Sequence, residues 1–299
     1  MSYTQRMENV ENKTSQTECT KEKGLLLTAS DAEEYYAYKK QKKIAEIMDA
    51  LSHTEGVIEG VDDVQRATER AMRIHQAAVR MTPTRLLQAK EYLPRGKVRL
   101  DCWIGGNGET LTKVKMREAR LAKRLGASEL TLVLTPSLVE SCRYVEIRKE
   151  LRKLKRVAKK NCLKVWLDKQ YPYSTLAHLA RLSAEVGAQY VSVPYFAGCE
   201  RLRFELFSGC QLEVFGVETL ADFKKMTGAG VGRVVTSHGY DFYLQWMKEA
   251  EMIRYIPPKT EEEKVENATK KPMAEGAQPA KTSQNVSSGK NGVNELKFI

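Results

Sequence analysis

The chain has 299 residues, 42% of them hydrophobic, and a formal net charge of +11. That length holds one large β/α domain with tails, and no run approaches the roughly 18 apolar residues of a membrane span. The polar N-terminus lacks the apolar stretch of a secretory signal, so the cytoplasm is the expected location. The six cysteines show neither a CxxC pair nor zinc-ligand spacing, so no metal and no cofactor is expected.

The charge is uneven. The first 23 residues hold four basic and four acidic groups, and residues 257–299 hold seven lysines and six glutamates. Nearly all of the excess therefore lies between them. Much of it sits on one predicted helix, 145–160, VEIRKELRKLKRVAKK. Ile147, Leu151, Leu154 and Ala158 recur there at helical spacing, and eight Lys or Arg occupy the other faces. A solvated outer helix and a surface for an anionic or protein partner both fit this pattern. No aromatic residue is interleaved for base stacking, which argues against nucleic acid.

Residues 1–24 read as disordered. Residues 25–54 form an N-terminal helix, with Ser30 and Glu33 in a capping box, whose apolar face lies on the main domain. A doubtful first strand falls near Val57. Strands follow at Ala77–Met81, Val98–Ile104, Glu129–Leu134, Leu163–Leu167, Tyr190–Val193, Leu212–Phe215 and Arg233–Thr236, with helices between them. Three joints, RLGASELTLVL, EVGAQYVSV and TGAGVGRVV, each end a helix at glycine and begin a strand. Seven clear strands and one doubtful one, each followed by a helix, predict a (β/α)8 TIM barrel over 55–256. A doubly wound open sheet is the alternative, but no GxGxxG follows a strand. In a barrel, chemistry belongs at the C-terminal strand ends. Residues 257–299 read as a flexible low-complexity tail ending in VNELKFI, a second place for a partner to dock.

The order of WIGGNG, KMREARLAKRLGASELTLVL, LKVWLDK, VGAQYVSVPYF and TLADFKKMTGAGVGRVVTSHG resembles the deoxyribose-phosphate aldolase family. The likeness covers roughly 62–239. It implies a barrel that runs a Schiff-base retro-aldol reaction, often as a dimer. It also implies that the family's nucleophilic lysine is replaced by Ser192, its second lysine by Leu212 and its catalytic aspartate by Thr131. Serine forms no imine, so a catalytically degenerate, aldolase-like protein is expected, one that binds a phosphorylated small molecule or a partner. The phosphate-binding positions implied are Gly216, Ser237, His238 and Gly239. The alternative is an active aldolase with a relocated lysine. In LKVWLDK the side chains of Lys164, Trp166 and Asp168 share a face, so Lys164 and Asp168 are the candidate amine–carboxylate pair.

Overall fold

Every predicted strand lies in one closed ring. In the computed structural model, which describes residues 29–58, 64–93, 98–207 and 209–254, the strands are β1 (Thr54–Ile58), β2 (Ala78–Met81), β3 (Arg99–Ile104), β4 (Glu129–Val133), β5 (Cys162–Trp166), β6 (Tyr190–Pro194), β7 (Gln211–Phe215) and β8 (Arg233–Val235). They pair in sequence order, all parallel, and β1 closes on β8. This is the (β/α)8 barrel, and the doubtful first strand is real. The segments read as tails, and the side chain of Ser30, lie outside the described residues.

The helices are α1 (Ala29–Ser52), α2 (Val64–Arg73), α3 (Leu86–Tyr92), α4 (Thr112–Leu125), α5 (Pro136–Glu140), α6 (Tyr144–Ala158), α7 (Tyr173–Glu185), α8 (Leu220–Gly228) and α9 (Gly239–Glu251). Short 3₁₀ turns cover Pro83–Arg85 and Cys199–Glu205. α5 was not expected from the sequence; Pro136 at its first turn follows β4 after two residues. The glycine joints behave as their spacing predicts. Gly126 ends α4 at φ 112°, a conformation that costs other residues dearly. In the third joint it is Gly230, not Gly228, that takes the positive φ.

The core has two zones of opposite character. Outward-facing strand residues such as Leu130, Leu132, Val165, Val191, Leu212 and Val214 are buried. They belong to one apolar core with Ile147, Leu151 and Leu154 of α6 and Leu176 and Leu179 of α7. The basic helix thus buries the stripe that its spacing predicts. Ile47 and Leu51 of α1 are fully buried in the same core. The barrel's interior is different, and holds charges. A separate buried pair, Lys115 of α4 and Glu150 of α6 at 3.0 Å, ties two helices to the C-terminal end of β4, where the amine also donates to Val133 O and Thr135 Oγ1.

Candidate functional site

A strand turns alternate side chains to opposite faces. On the inner face, seven of the eight strands place a charge: Glu55, Arg80, Asp101, Glu129, Lys164, Glu213 and Arg233. All are buried. Burial of isolated charges is prohibitive, so these must satisfy one another. Lys164 Nζ lies 2.8 Å from Glu129 Oε2, 2.8 Å from Glu213 Oε2 and 3.2 Å from Asp101 Oδ2, and closest to Glu55 Oε2. Arg80 bonds Glu213, pairs with Asp101 through Nε at 2.8 Å, and meets Glu55 at 3.0 Å. Arg233 bridges Glu129 at 2.6 Å and Glu55 at 3.1 Å.

Four buried acids face three buried bases, and Arg99, half exposed, adds a fourth cation 3.1 Å from Glu129 Oε1. Burial pushes the Glu55 carboxyl up from 4.5 to about 8, against the pull of Arg80 and Lys164. Burial would also raise Asp101, but Lys164 and Arg80 overcome it and hold that carboxyl well below the usual range. Glu213 is lowered to about 2, because Arg80 and Lys164 outweigh its burial. Burial disfavours the Lys164 ammonium, yet Asp101, Glu213 and Glu55 together keep its pKa above the usual lysine value. Glu55, Asp101 and Glu129 offer oxygens within 4.8 Å of one another, a spacing that suits a cation. The cation there is Lys164.

The positions implied by the family resemblance fall around this cluster, with one exception. Thr131 is buried and its hydroxyl donates to Asp101 Oδ2 at 2.6 Å. Ser192 is buried and accepts from Arg80 Nη1 at 3.4 Å. Leu212 does not face the interior: it is buried in the apolar core, and its neighbour Glu213, in register with Ser192, takes the inner place. The Lys164–Asp168 pair does not form. Asp168 stands beyond the end of β5, where its Oδ1 accepts the Gln170 amide at 3.1 Å. Lys164 instead donates to Glu55 and Glu213 and pairs with Asp101 and Glu129 inside the cluster.

One layer nearer the C-terminal ends, two residues along each strand, come Trp103, Trp166 and Phe215. Their rings meet edge-on, at 5.0 Å between the tryptophans and 5.2 Å between Trp166 and Phe215. The Arg80 guanidinium lies 5.8 Å and 5.9 Å from the Trp103 and Phe215 rings. The charged layer is thus roofed by aromatic carbon, and its side chains are buried from solvent.

The expected phosphate positions separate. Ser237 and Gly239 line a cavity of about 330 Å³ beside α2, together with Arg66, Arg70, Gln76 and Tyr240. Arg70 stacks on the Tyr240 ring at 5.2 Å. Gly216 and His238 are not among the lining residues. The Gly216 amide donates to Val235 O and the His238 amide to Thr236 Oγ1. Sequence reading missed the two arginines because α2 precedes the loop it faces by some 170 residues.

No family model matches the chain. It is similar to a deoxyribose-phosphate aldolase of Coccidioides immitis, at 30% identity over 54% of this chain and 66% of the relative, so it spans just under two thirds of that protein. It is 29% identical to the deoxyribose-phosphate aldolase of Staphylococcus carnosus, over 60% of this chain and 86% of that one. Among solved structures, the tetrameric deoxyribose phosphate aldolase of Aeropyrum pernix superposes with a TM-score of 0.58 at 20% identity, over 75% of this chain and 99% of that one; this likeness speaks for the fold.

Proposed function

We propose that this chain, which belongs to the deoxyribose-phosphate aldolase family, has no Schiff-base activity and binds a phosphorylated small molecule in the cavity between α2 and the start of α9. The carrying observation is the state of Lys164. An imine-forming lysine needs an uncharged amine that a carbonyl can reach. Here the amine is fully buried, sits within 3.2 Å of carboxylates of Asp101, Glu129 and Glu213, bonds Glu55, and is kept charged. Serine stands at the implied nucleophile position, and three aromatic rings cover the way in.

The binding half of the reading rests on the cavity. Arg66 and Arg70 face Ser237 and the first turn of α9 across it. Guanidinium groups and unsatisfied helix-start amides both favour a phosphate dianion. Such a site works without any imine chemistry.

Borohydride trapping tests the first half. The protein is incubated with deoxyribose 5-phosphate or with acetaldehyde, reduced, and measured by intact mass and peptide map. No adduct is expected, beside an active aldolase that labels. An adduct on Lys164 would revive the alternative, an aldolase with a relocated lysine. Titration with deoxyribose 5-phosphate and inorganic phosphate, repeated on Arg70→Gln, tests the second half. Binding that ignores Arg70→Gln removes the cavity from consideration.

A further inference from the structure

A second concave site lies on the outside of the barrel, between α4 and α6. It encloses about 580 Å³ and is lined by Arg120, Lys123 and Arg124 of α4 and by Lys153, Arg156 and Lys159 of α6 and its end. Met116 and Val157 supply its apolar contacts. We propose that this groove binds a chain of linked phosphates, free or as the polyphosphate end of a nucleotide.

Charge balance is the first support. Six cations converge and no acidic residue lines the groove. Acids on the same two helices are engaged elsewhere: Glu118 accepts the Gly105 amide, Glu146 pairs with Arg143, and Glu150 pairs with Lys115. Among the described residues, none of the six cations forms an ion pair. Like charges held together without a counter-ion repel, and an anion placed among them is favoured. The lysine at the centre registers this. Burial and the Lys159 charge lower the Lys123 ammonium below its usual value.

Local geometry is the second support. Lys123 Nζ donates to Val157 O at 2.7 Å and Ala158 O at 3.0 Å, which fixes its charge at the end of α6. Lys159 follows at φ 56° and ψ −112°, a conformation that glycine usually takes. A lysine there strains the backbone and sets one more cation at the rim.

The chemistry of the occupant follows from what the groove lacks. None of its lining residues is aromatic, so nothing stacks on a base. The cations span residues 120–124 on one helix and 153–159 on the other, about 6–9 Å of helix axis. That is the scale of a few linked phosphates, and short of the extended track of a nucleic-acid strand.

Calorimetric titration of the full chain with sodium tripolyphosphate tests the proposal. One site is expected, weakened by salt. The variant Arg124→Gln/Lys153→Gln/Arg156→Gln, all exposed positions, is expected to lose roughly tenfold or more in affinity, as three surface charge contacts are removed. Arg120→Gln/Arg124→Gln serves as a second, smaller change, and an unaltered thermal melt shows that each variant folds. Arg70→Gln, in the other cavity, is expected to leave tripolyphosphate affinity unchanged, so this site fails or stands separately from the one proposed above. ATP tighter than tripolyphosphate points to a nucleotide, and equal affinity to the free chain. No binding, or binding indifferent to both groove variants, overturns the proposal. So does a DNA duplex that binds through these residues while tripolyphosphate does not.

Discussion

Lys164 and Glu213 reach each other across β6, with Nζ 2.8 Å from Oε2, and Ser192 stands on the strand between them. The position where the family resemblance implies a reactive lysine is therefore flanked by a closed ion pair. The flanking lysine acts as a structural cation, and its removal should show in stability. Lys164→Met leaves four buried acids against two buried bases and the half-exposed Arg99. Removing one partner of a buried ion cluster costs about 3–5 kcal/mol. Urea unfolding should show a loss of that order. A variant that folds with unchanged stability would mean that the amine does not hold the cluster together.

The Glu55 proton makes stability depend on pH. Its folded pKa, about 8, lies above its ordinary 4.5. Between those values the folded chain holds a proton that the unfolded chain has released, so stability falls as pH rises, by at most about 1.4 kcal/mol per pH unit. Asp101 and Glu213 act in the opposite sense. Their pKa values are depressed, so their contribution is present above the ordinary values of 3.8 and 4.5 and is lost as pH falls, for Glu213 down towards about 2. Maximum stability is expected near pH 4.5–5. Glu55→Gln mimics the protonated acid, so it should flatten the alkaline side and be more stable than the native chain at pH 8–9. Melting temperatures across pH 3–9 check this; an unchanged alkaline slope in the variant would assign the proton elsewhere.

Restoring a lysine at position 192 couples charge to shape. Ser192 is buried against Arg80. Ser192→Lys adds a cation to the inner face, which favours the Glu55 carboxylate and lowers its folded pKa, so the alkaline fall in stability should shrink. The longer side chain enters a buried layer, with an overpacking cost of about 1–3 kcal/mol. Its amine finds carboxylates and stays charged, so borohydride should still trap nothing. A trapped adduct at position 192 would show that the scaffold keeps a usable substrate path beneath Trp103 and Trp166.

The barrel was legible in the sequence because its two periodicities are local. Helical stripes such as Ile147–Leu151–Leu154 and β-branched runs such as Tyr190–Val193 show it without tertiary knowledge. The ion cluster was also written there, and five of its seven charges stand inside apolar strands: the glutamate of TEGVI, the arginine of AVRM, the aspartate of RLDCWI, the lysine of CLKVW and the glutamate of QLEVF. One charge in the middle of an apolar strand is the signal. Taken singly each reads as an exposed edge residue, and only closure of the ring turns all of them inward. Alternation misled at one place: it extended the face of Lys164 and Trp166 to Asp168, which lies past the strand's end. The resemblance, separately, matched the family's second lysine to Leu212, one residue from the inward Glu213, and a slip of one reverses the face. Arg66 and Arg70 were illegible, because their cavity is made where α2 meets α9, far apart in the chain.

Lys159 should be worth more to binding than to folding. At φ 56° and ψ −112° it occupies backbone space that costs a side-chain-bearing residue about 1–3 kcal/mol. Its amide still donates to Lys155 O, so the turn itself is made and only the strain remains. Lys159→Gly removes the clash and should stabilise the chain by about 1 kcal/mol, a rise of a few degrees in melting temperature. The same change takes one cation from the groove between α4 and α6, so tripolyphosphate affinity should fall. Lys159→Ala separates the two effects: it keeps the strain and removes the charge, so binding falls with no gain in stability. If glycine brings no gain, the backbone at 159 is unstrained, and the lysine there has no stability cost for a binding role to explain.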